Sequence, residues 1–495
     1  MPWWQNIPFF SVLLFLLSAA VCSVLPPAGA RRWSRAVLAL CLLCSGLLAV
    51  LLLHSGGAPV HYRMGHFPAP WGNELRFGAL EALLAALFSF VMLCALLAGG
   101  GELRGRVGLS RESLYHTLCM LLMAALLSQV YSNDLFTCYV FLEIMTLSAC
   151  ALIVYRNSGR SLAAGMRYMV LNMVGSGLFL LGVVLLYDLT GHLLMEPLGA
   201  SVASLAVSGA YRRSLTVIIA LITVGLCVKS ALFPFHTWVP DAYSAGAAPS
   251  NAILSSLVSK GYIVLLLKIL LRVFGWNPVV LSRVDLLLLL FAWSGMVFGS
   301  LGAISASGLT RMTAWSSVAQ IGYIFLGLAL GPAEGFRAAL FHLAVHACSK
   351  SLLFLSGAKL REAAGGGDGF RALAGAARLR PVFGVCWTAA AFSMVGLPFT
   401  GGLVSKLLLG SAALGRSLPV AAVSLGVLAL STLLNVRYFL RAALILWSPG
   451  SAASARSGRD PAAALACGAL ALAVVLSFVF ASPLLEAVSA GLAAF

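Results

Sequence analysis

Two apolar segments that each contain a lysine meet in the stretch Gly225–Lys260, which reads GLCVKSALFPFHTWVPDAYSAGAAPSNAILSSLVSK. Lys229 lies in the first segment and Lys260 in the second, and a proline-broken turn separates them. A lysine at bilayer depth costs about 2.5–3.5 kcal/mol on insertion scales, so a chain that keeps one usually needs it. The stretch therefore indicates the charge-handling centre of an ion-translocating membrane protein.

Lysine and arginine are used differently along this chain. The loops carry mostly arginine, which stays protonated in proteins, whereas lysine changes its protonation state readily when it is desolvated. Five of the six lysines, all except Lys359, fall in predicted membrane helices. The pattern predicts that arginines orient the protein and that buried lysines can carry protons.

The composition is that of a protein with many membrane-spanning segments. Of its 495 residues, 61% are hydrophobic and only 9% are charged, against about 25% charged residues in soluble domains. A net charge of +17 would suggest a nucleic-acid partner in a soluble chain. In a membrane protein it reflects arginines in cytoplasmic loops, so we expect the lipid bilayer and no nucleic acid as a partner.

The eleven cysteines predict neither a cofactor nor a metal site. They are scattered singly, and the CxxC pair Cys41–Cys44 lies within an apolar run, without a second pair or histidines at ligand spacing. No nucleotide, flavin or quinone motif accompanies them. We expect no catalysis by this chain alone.

Fourteen apolar segments reach the roughly 20 residues that a membrane helix needs. They cover residues 8–28, 36–54, 77–99, 113–132, 134–154, 163–187, 214–238, 249–273, 284–304, 308–330, 337–358, 382–412, 418–447 and 461–484. Alternate loops carry about twice as many basic residues as the others, which predicts that both termini lie on the outer side of the membrane. The first segment lacks a basic leader and a cleavage site, so we expect it to be retained.

Two of these segments contain helix breakers. Segment seven has Pro234 and Pro240, and segment twelve has Pro398 among glycines. Proline removes a backbone donor, and carbonyl groups freed at membrane depth are tolerated only where they face protein or water. Because Lys229 precedes one break and Lys406 follows the other, each break predicts a polar cavity beside a lysine.

Broken helices at corresponding positions of two halves are typical of transporters with internal repeats. We therefore expect an all-α polytopic membrane protein with about fourteen transmembrane helices and two five-helix repeats. The predicted division is a three-helix segment at 1–110, a first repeat at 111–275, a second repeat at 276–447 and a C-terminal helix at 448–495.

Glu143 lies well inside segment five, where an unpaired carboxylate would become protonated. We predict that it pairs with Lys229 and that opening this pair releases a proton from the lysine. A static pair that joins two helices is the alternative. Because one carboxylate cannot neutralise Lys229, Lys260 and Lys268 together, at least one lysine is neutral part of the time; Lys268, near the helix end, is expected to snorkel to the interface.

Segment eleven places three titratable residues on one helix face. His342, His346 and Lys350 are spaced i, i+4 and i+8 and extend over about 12 Å. Imidazoles titrate near neutral pH and can exchange donor and acceptor nitrogens, so this face predicts a proton wire. A polar seam between helices is the alternative, and two histidines with one lysine do not make a metal site.

Four further polar residues are assigned structural roles. His236 and Trp238 lie near the end of segment seven, where such rings anchor helices at the membrane interface. Asp241 is expected to cap a helix or bind a partner. Glu81, a lone carboxylate near the start of segment three, is expected to cap that helix or to lie at the interface, rather than to take part in transport.

Several runs together resemble one protein family. They are DLFTCYVFLEIM, KSALFPFHTWVPDA, ILSSLVSKGY, FHLAVHACSKSLLFL and GLPFTGGLVSK. These runs resemble the antiporter-like proton-translocating subunits shared by respiratory complex I, multisubunit cation/proton antiporters of the Mrp type and membrane-bound hydrogenases. The resemblance covers about residues 110–415, and His61–Gly78 is similar to a loop of the antiporter and hydrogenase branches.

The resemblance implies a role for each matching residue. Glu143 and Lys229 match the family's ion pair, and Lys260 matches its central lysine. His342 and His346 match its histidines on helix eleven, and Lys406 matches its terminal residue on helix twelve. Some members carry glutamate at this last position. The chain lacks the long lateral helix of the largest complex I subunit, which argues against that assignment.

The resemblance also implies other membrane subunits as partners, in a multisubunit antiporter, a hydrogenase or a proton-pumping quinone oxidoreductase complex. It implies protons, with or without sodium, as the ions, and the inner or plasma membrane of a prokaryote as the location. We expect a proton-translocating subunit whose route runs through Glu143, Lys229, Lys260, the histidine face with Lys350, and Lys406. A non-conducting scaffold subunit is the alternative. A stand-alone solute carrier is disfavoured because no substrate-binding composition accompanies the charges.

Overall fold

The computed structural model describes residues 3–55, 58–67, 72–106, 111–209, 211–449 and 460–493, and most of them are helical. Parts of the predicted loops, at 68–71, 107–110 and 450–459, lie outside these ranges. The first half contains α1 (Ile7–Val24), α2 (Pro27–His54), α3 (Ala79–Ala98), α4 (Gly100–Arg106), α5 (Glu112–Tyr131), α6 (Leu135–Val154), α7 (Gly159–Thr190), α8 (Met195–Ser208), α9 (Arg212–Ser230), α10 (Val239–Ala245), α11 (Ala248–Ile253) and α12 (Ser259–Lys268).

The second half contains α13 (Trp276–Leu281), α14 (Val284–Ser305), α15 (Leu309–Leu330), α16 (Glu334–Ala363), α17 (Ala376–Leu379), α18 (Pro381–Val395), α19 (Gly401–Leu414), α20 (Leu418–Trp447), α21 (Pro461–Val479) and α22 (Ala481–Ala493). Short 3-10 turns lie at Trp3–Asn6, Met64–His66 and Phe235–Trp238. The predicted loop residue Lys359 lies in the last turns of α16.

Thirteen helical stretches in the described part of the chain are long and apolar enough to cross a membrane. The remaining predicted segment, the twelfth, is split into α18 and α19, which are each shorter than a membrane span. Together they complete the fourteen predicted spans, so the chain is an all-α, multi-pass integral membrane protein. Spans eight, ten and eleven are almost entirely surrounded by other helices and form the core.

Both predicted helix breaks are present. Helix α9 ends at Ser230, and Ala231 adopts a left-handed backbone with φ 63°. Helix α18 ends at Val395, and Gly396 has φ 87°. Pro234 and Pro398 lie within these breaks. Pro240 does not, because it occupies the first turn of α10, where a missing backbone donor costs nothing.

Two local features were absent from the sequence prediction. Strands β1 (Val60–Arg63) and β2 (Glu74–Phe77) form an antiparallel hairpin between α2 and α3, with Val60 opposite Phe77. Span eight changes to π-helical geometry at Leu254–Val258 and Ile269–Phe274. The four-residue strands are too short for a period-two pattern to stand out, and a π-helical turn has no distinctive periodicity over five residues.

Spans nine and thirteen run parallel in fixed register. Three polar pairs join α14 to α20 or to the turn before it, each separated by 131 positions: Asp285 with Arg416, Trp293 with Ser424, and Ser300 with Ser431. The same offset at three depths means that the two helices lie side by side along most of their length.

Helices α7 and α9 cross at two glycines. A Cβ atom on Gly175 would lie 2.9 Å from the carbonyl oxygen of Gly225, whereas nothing lies within 4 Å of the Cβ position of Gly177. We expect Gly175→Ala to force the helices apart at a cost of about 1–3 kcal/mol, and to lower the thermal unfolding midpoint of the purified protein. Gly177→Ala, on the same helix, should leave the midpoint unchanged or raise it. Equal midpoints for the two variants would contradict this close approach.

Candidate functional site

Lys229 is buried at the C-terminal end of α9, immediately before the first break. Its Nζ atom donates a hydrogen bond to Thr146 Oγ1 over 2.7 Å. The same ammonium group lies 5.3 Å from the centre of the Tyr262 ring. A hydroxyl and an aromatic face therefore surround this lysine.

The predicted contact between Glu143 and Lys229 is not made in this structure. No carboxylate of the described residues lies within 4.0 Å of Lys229 Nζ, and Glu143 Oε1 is buried without a hydrogen-bond partner. The reason is that the lysine reaches Thr146, which is three residues along α6 from Glu143 and therefore one helical turn away. Glu143 still interacts electrostatically with Lys229.

Lys260 is buried in the first turn of α12. Its Nζ atom donates to the Ser255 carbonyl oxygen over 2.6 Å and to Ser259 Oγ over 3.1 Å. Ser255 belongs to the π-helical turn, and such turns leave carbonyl groups free to accept other hydrogen bonds. The irregular helix thus supplies the acceptor for the central lysine.

The predicted face of α16 exists and is fully buried. The His342 and His346 ring centres are 6.2 Å apart. His342 Nδ1 is hydrogen-bonded to Ser405 Oγ at 2.9 Å, while its Nε2 and both ring nitrogens of His346 have no partner among the described residues. Buried polar atoms of this kind are normally satisfied by water.

Lys350 continues this face one turn further along α16. Its Nζ atom donates to the Thr313 carbonyl oxygen over 3.2 Å and to the Ser316 hydroxyl, both on α15. It also interacts electrostatically with both histidines. The three residues that the sequence placed on one face are therefore together in the core.

Lys406 lies on α19, after the second break, and is partly buried. Its Nζ atom donates to the Val395 carbonyl oxygen over 2.6 Å, which the end of α18 leaves free, and to Thr432 Oγ1 over 3.1 Å. The ammonium group lies 5.2 Å from the centre of the Tyr323 ring, and this ring stacks on the His342 ring with centres 5.5 Å apart. Tyr323 on α15 thus contacts both His342 on α16 and Lys406 on α19.

Four of the membrane-embedded lysines donate hydrogen bonds to uncharged groups. Within the described ranges, no carboxylate lies within 4.0 Å of Lys229, Lys260, Lys350 or Lys406. Their partners are hydroxyl groups, carbonyl oxygens and aromatic rings. Lysine, unlike arginine, can release its proton in a protein, so these four residues are the candidates for proton transfer.

The prediction for Lys268 was wrong. The side chain is fully buried and does not reach the interface. Its Nζ atom donates to the carbonyl oxygens of Gln129, Val130 and Ser132, at the C-terminal end of α5. A cation at this end of a helix satisfies its free carbonyl groups and its dipole, which explains why the lysine stays inside.

Two of the structural assignments need correction. Trp238 is not an interface anchor, because it is buried between the rings of Tyr168 and Tyr243 at 4.9 and 5.7 Å. Glu81 accepts a hydrogen bond from the Gly78 backbone over 2.8 Å, as a helix cap should, but it also forms a buried ion pair with Arg272. It is therefore not a lone carboxylate.

His236 and Asp241 flank the start of α10. His236 is buried against Phe233, with ring centres 5.1 Å apart. Asp241 forms ion pairs with Arg167 at 2.6 Å and with Arg311 at 3.1 Å. Its partners lie within this chain, so Asp241 joins α7 and α15 across the broken span.

A cavity of about 780 Å³ opens at the start of α6 and is lined in part by Glu74, Asp134 and His192. The hydrogen bond from His61 lowers the pKa of the Glu74 carboxyl below its usual value, against the opposing effect of burial. The carboxylate at this mouth therefore stays charged at neutral pH.

Sequence reasoning did not find the partners of the lysines. Thr146, Tyr262, Tyr323 and Thr432 lie on four different helices, and threonine and tyrosine are common in membrane segments. Only the position of Thr146, one turn from Glu143, could have served as a signal.

Fold and site together define a polytopic membrane protein with lysines inside it, two of which lie beside helix breaks. Residues 132–432 match the family model described as NADH:quinone oxidoreductase/Mrp antiporter, TM. The chain belongs to this family of transmembrane proteins.

Curated relatives and a solved structure agree with this membership. The chain is 37% identical over 422 residues to NADH-quinone oxidoreductase subunit N of Desulforudis audaxviator, covering 81% of this chain and 78% of the relative. It is 28% identical over 404 residues to a Na(+)/H(+) antiporter subunit of Alkalihalophilus pseudofirmus, covering 81% and 79%. A chain of the membrane-bound sulfane sulfur reductase, an archaeal respiratory membrane complex, is 27% identical, with a TM-score of 0.87 and coverage of 99% and 97%.

Proposed function

We propose that this chain is the proton-translocating membrane subunit of a multisubunit complex. The observation that carries the proposal is a set of four lysines, three buried and one, Lys406, partly buried, none of which has a carboxylate within 4.0 Å in the described part of the chain. The set begins and ends at broken helices and has two buried histidines between its members. Such groups are expensive to keep inside a membrane protein, and their protonation responds to small electrostatic changes.

The proposed route starts at Glu143 and Lys229. When Lys229 approaches Glu143, the carboxylate keeps the lysine protonated. When the pair opens, Glu143 no longer neutralises the positive charge of Lys229, and this charge acts on Lys260. His342 and His346 interact electrostatically with Lys260 and Lys350, and His342 also with Lys406. In the proposed route, a proton that leaves Lys260 passes along the face of α16 to Lys406. It enters each imidazole at one ring nitrogen and leaves from the other.

The proposal also covers the complex in which the chain works, its two internal repeats and its orientation in the membrane. The relatives are named as subunits of an oxidoreductase and of an antiporter, and the structural neighbour comes from a respiratory complex. We propose that this chain likewise works beside other membrane subunits in a prokaryotic inner or plasma membrane, with repeats at 111–275 and 276–447 and with Lys406 exchanging protons with the outer side.

The test is ion flux in vesicles that contain the whole native complex. At equal assembly, Lys406→Ala should reduce proton flux about a hundredfold, which is the scale of losing a positioned proton-transfer group. Flux that requires sodium would assign exchange, and flux without sodium would assign proton movement alone. Wild-type proton flux in the variant would support the scaffold alternative and overturn the proposal.

A further inference from the structure

The two lysines at the helix breaks have matching surroundings. Lys229 donates to Thr146 and lies over the ring of Tyr262, and the Tyr262 hydroxyl is 3.0 Å from the same threonine oxygen. Lys406 donates to Thr432, and it lies over Tyr323. The hydroxyl of this second tyrosine is 3.4 Å from the threonine oxygen. Each lysine thus meets a threonine–tyrosine pair that carries no charge.

In each pair, the hydrogen bonds determine which oxygen atom can accept from the lysine. Thr146 Oγ1 donates its proton to the Leu142 carbonyl oxygen over 2.8 Å. Its lone pairs are then left to accept from Lys229 and from the Tyr262 hydroxyl. At the second pair, Tyr323 accepts from Asn435 over 3.3 Å, which leaves its proton for Thr432. Both threonines therefore present an acceptor to an amine.

The aromatic faces add an electrostatic attraction for the charged form. An ammonium group within about 6 Å of a ring centre is held by the ring quadrupole, most strongly when water is excluded. Thr146, Tyr262 and Lys229 are all fully buried. Thr146 and Tyr262 therefore stabilise the buried Lys229 without a carboxylate.

The two pairs come from different helices. The first takes its threonine from span five and its tyrosine from span eight. The second takes its tyrosine from span ten and its threonine from span thirteen. Under the proposed repeats, spans five and eight correspond to ten and thirteen, so the two residue types have exchanged places while the surroundings of the lysine are the same.

We infer that Thr146 with Tyr262, and Thr432 with Tyr323, are positioning residues that hold Lys229 and Lys406 while these lysines lack a carboxylate partner. Lys229 alternates between its pair and Glu143, which is one helical turn away on α6. The inference deepens the proposed function and rests on it. The Lys406 site has an additional acceptor, the Val395 carbonyl oxygen, so it depends less on its threonine.

The test is the pH dependence of proton flux by the native complex in vesicles, at equal assembly. Thr146→Val keeps the shape of the side chain but removes the hydrogen-bond acceptor, so the flux should fall about tenfold. Thr146→Ser keeps the hydroxyl group and should restore the flux. Tyr262→Leu should move the half-maximal flux about one unit toward lower pH, since the ammonium form loses the ring. Tyr262→Phe should move it less. Thr432→Val should have a smaller effect than Thr146→Val.

Lys229→Ala, measured alongside, separates the two claims. If Lys229→Ala loses flux while Thr146→Val and Tyr262→Leu keep the wild-type rate and pH profile, the inference fails and the proposed function stands. If Thr146→Val and Thr146→Ser both lose flux and both keep the wild-type pH profile, Thr146 has only a packing role. This result would also overturn the inference. Wild-type flux in Lys229→Ala would overturn the proposed function itself.

Discussion

Proton flux through the native complex falls about a hundredfold when Lys260 is replaced by methionine, on the scale of losing a positioned proton-transfer group. Lys260 lies between the first break and the histidine face, and its hydrogen-bond partners are uncharged groups of its own helix. Methionine has a similar length and removes a buried charge, so the helix should pack as before. The measurement is proton uptake by vesicles with equal amounts of assembled complex.

Lys260→Arg is the matched variant for this prediction. Arginine keeps the positive charge but does not release its proton. If Lys260 transfers protons, the arginine variant is as inactive as the methionine variant. If the charge only holds helices together, arginine retains most of the flux, and that result would contradict the proposed route.

Replacing His346 by leucine should also abolish most of the flux. Both ring nitrogens of His346 are buried without a partner among the described residues, and the ring lies 6.2 Å from that of His342. A side chain that only joined helices would be expected to have a partner there, because unsatisfied buried polar groups cost about 1–3 kcal/mol each. The two ring nitrogens of His346 are thus available to take up a proton and to pass it on. The expected loss is about a hundredfold.

His346→Gln distinguishes the wire from the polar seam. Glutamine can donate and accept hydrogen bonds but does not titrate. We expect it to be as inactive as leucine in the vesicle assay. Full recovery of flux with glutamine would mean that polarity alone matters at this position, and the histidine face would then be a seam between helices.

The spans and breaks were predictable because their causes are local. Hydrophobic length sets the spans, and Pro234 and Pro398 interrupt helices by removing backbone donors. The sequence also predicted the lysines, the histidine face of α16 and the family, since each depends on residue type and spacing along one segment. Pro240 shows the limit: the same residue type starts a helix or breaks one, according to where the helix begins.

The contacts between segments could not be predicted. Lys268 was expected at the interface because of its distance along the helix, but its surroundings depend on where α5 ends in space. The same holds for Lys229, whose partner is Thr146 and not the predicted Glu143. A choice between two acceptors one turn apart depends on side-chain packing, about which a single sequence carries no information.

The most direct measurement is proton flux in vesicles for Lys406→Ala beside Lys359→Ala. Lys406 is the last lysine of the proposed route, whereas Lys359 lies near the end of α16 and pairs with Asp460 at 2.8 Å. We expect the first variant to lose flux and the second to keep it, with the complex intact in both. Wild-type flux in both variants would show that Lys406 does not carry protons and would contradict the proposed route.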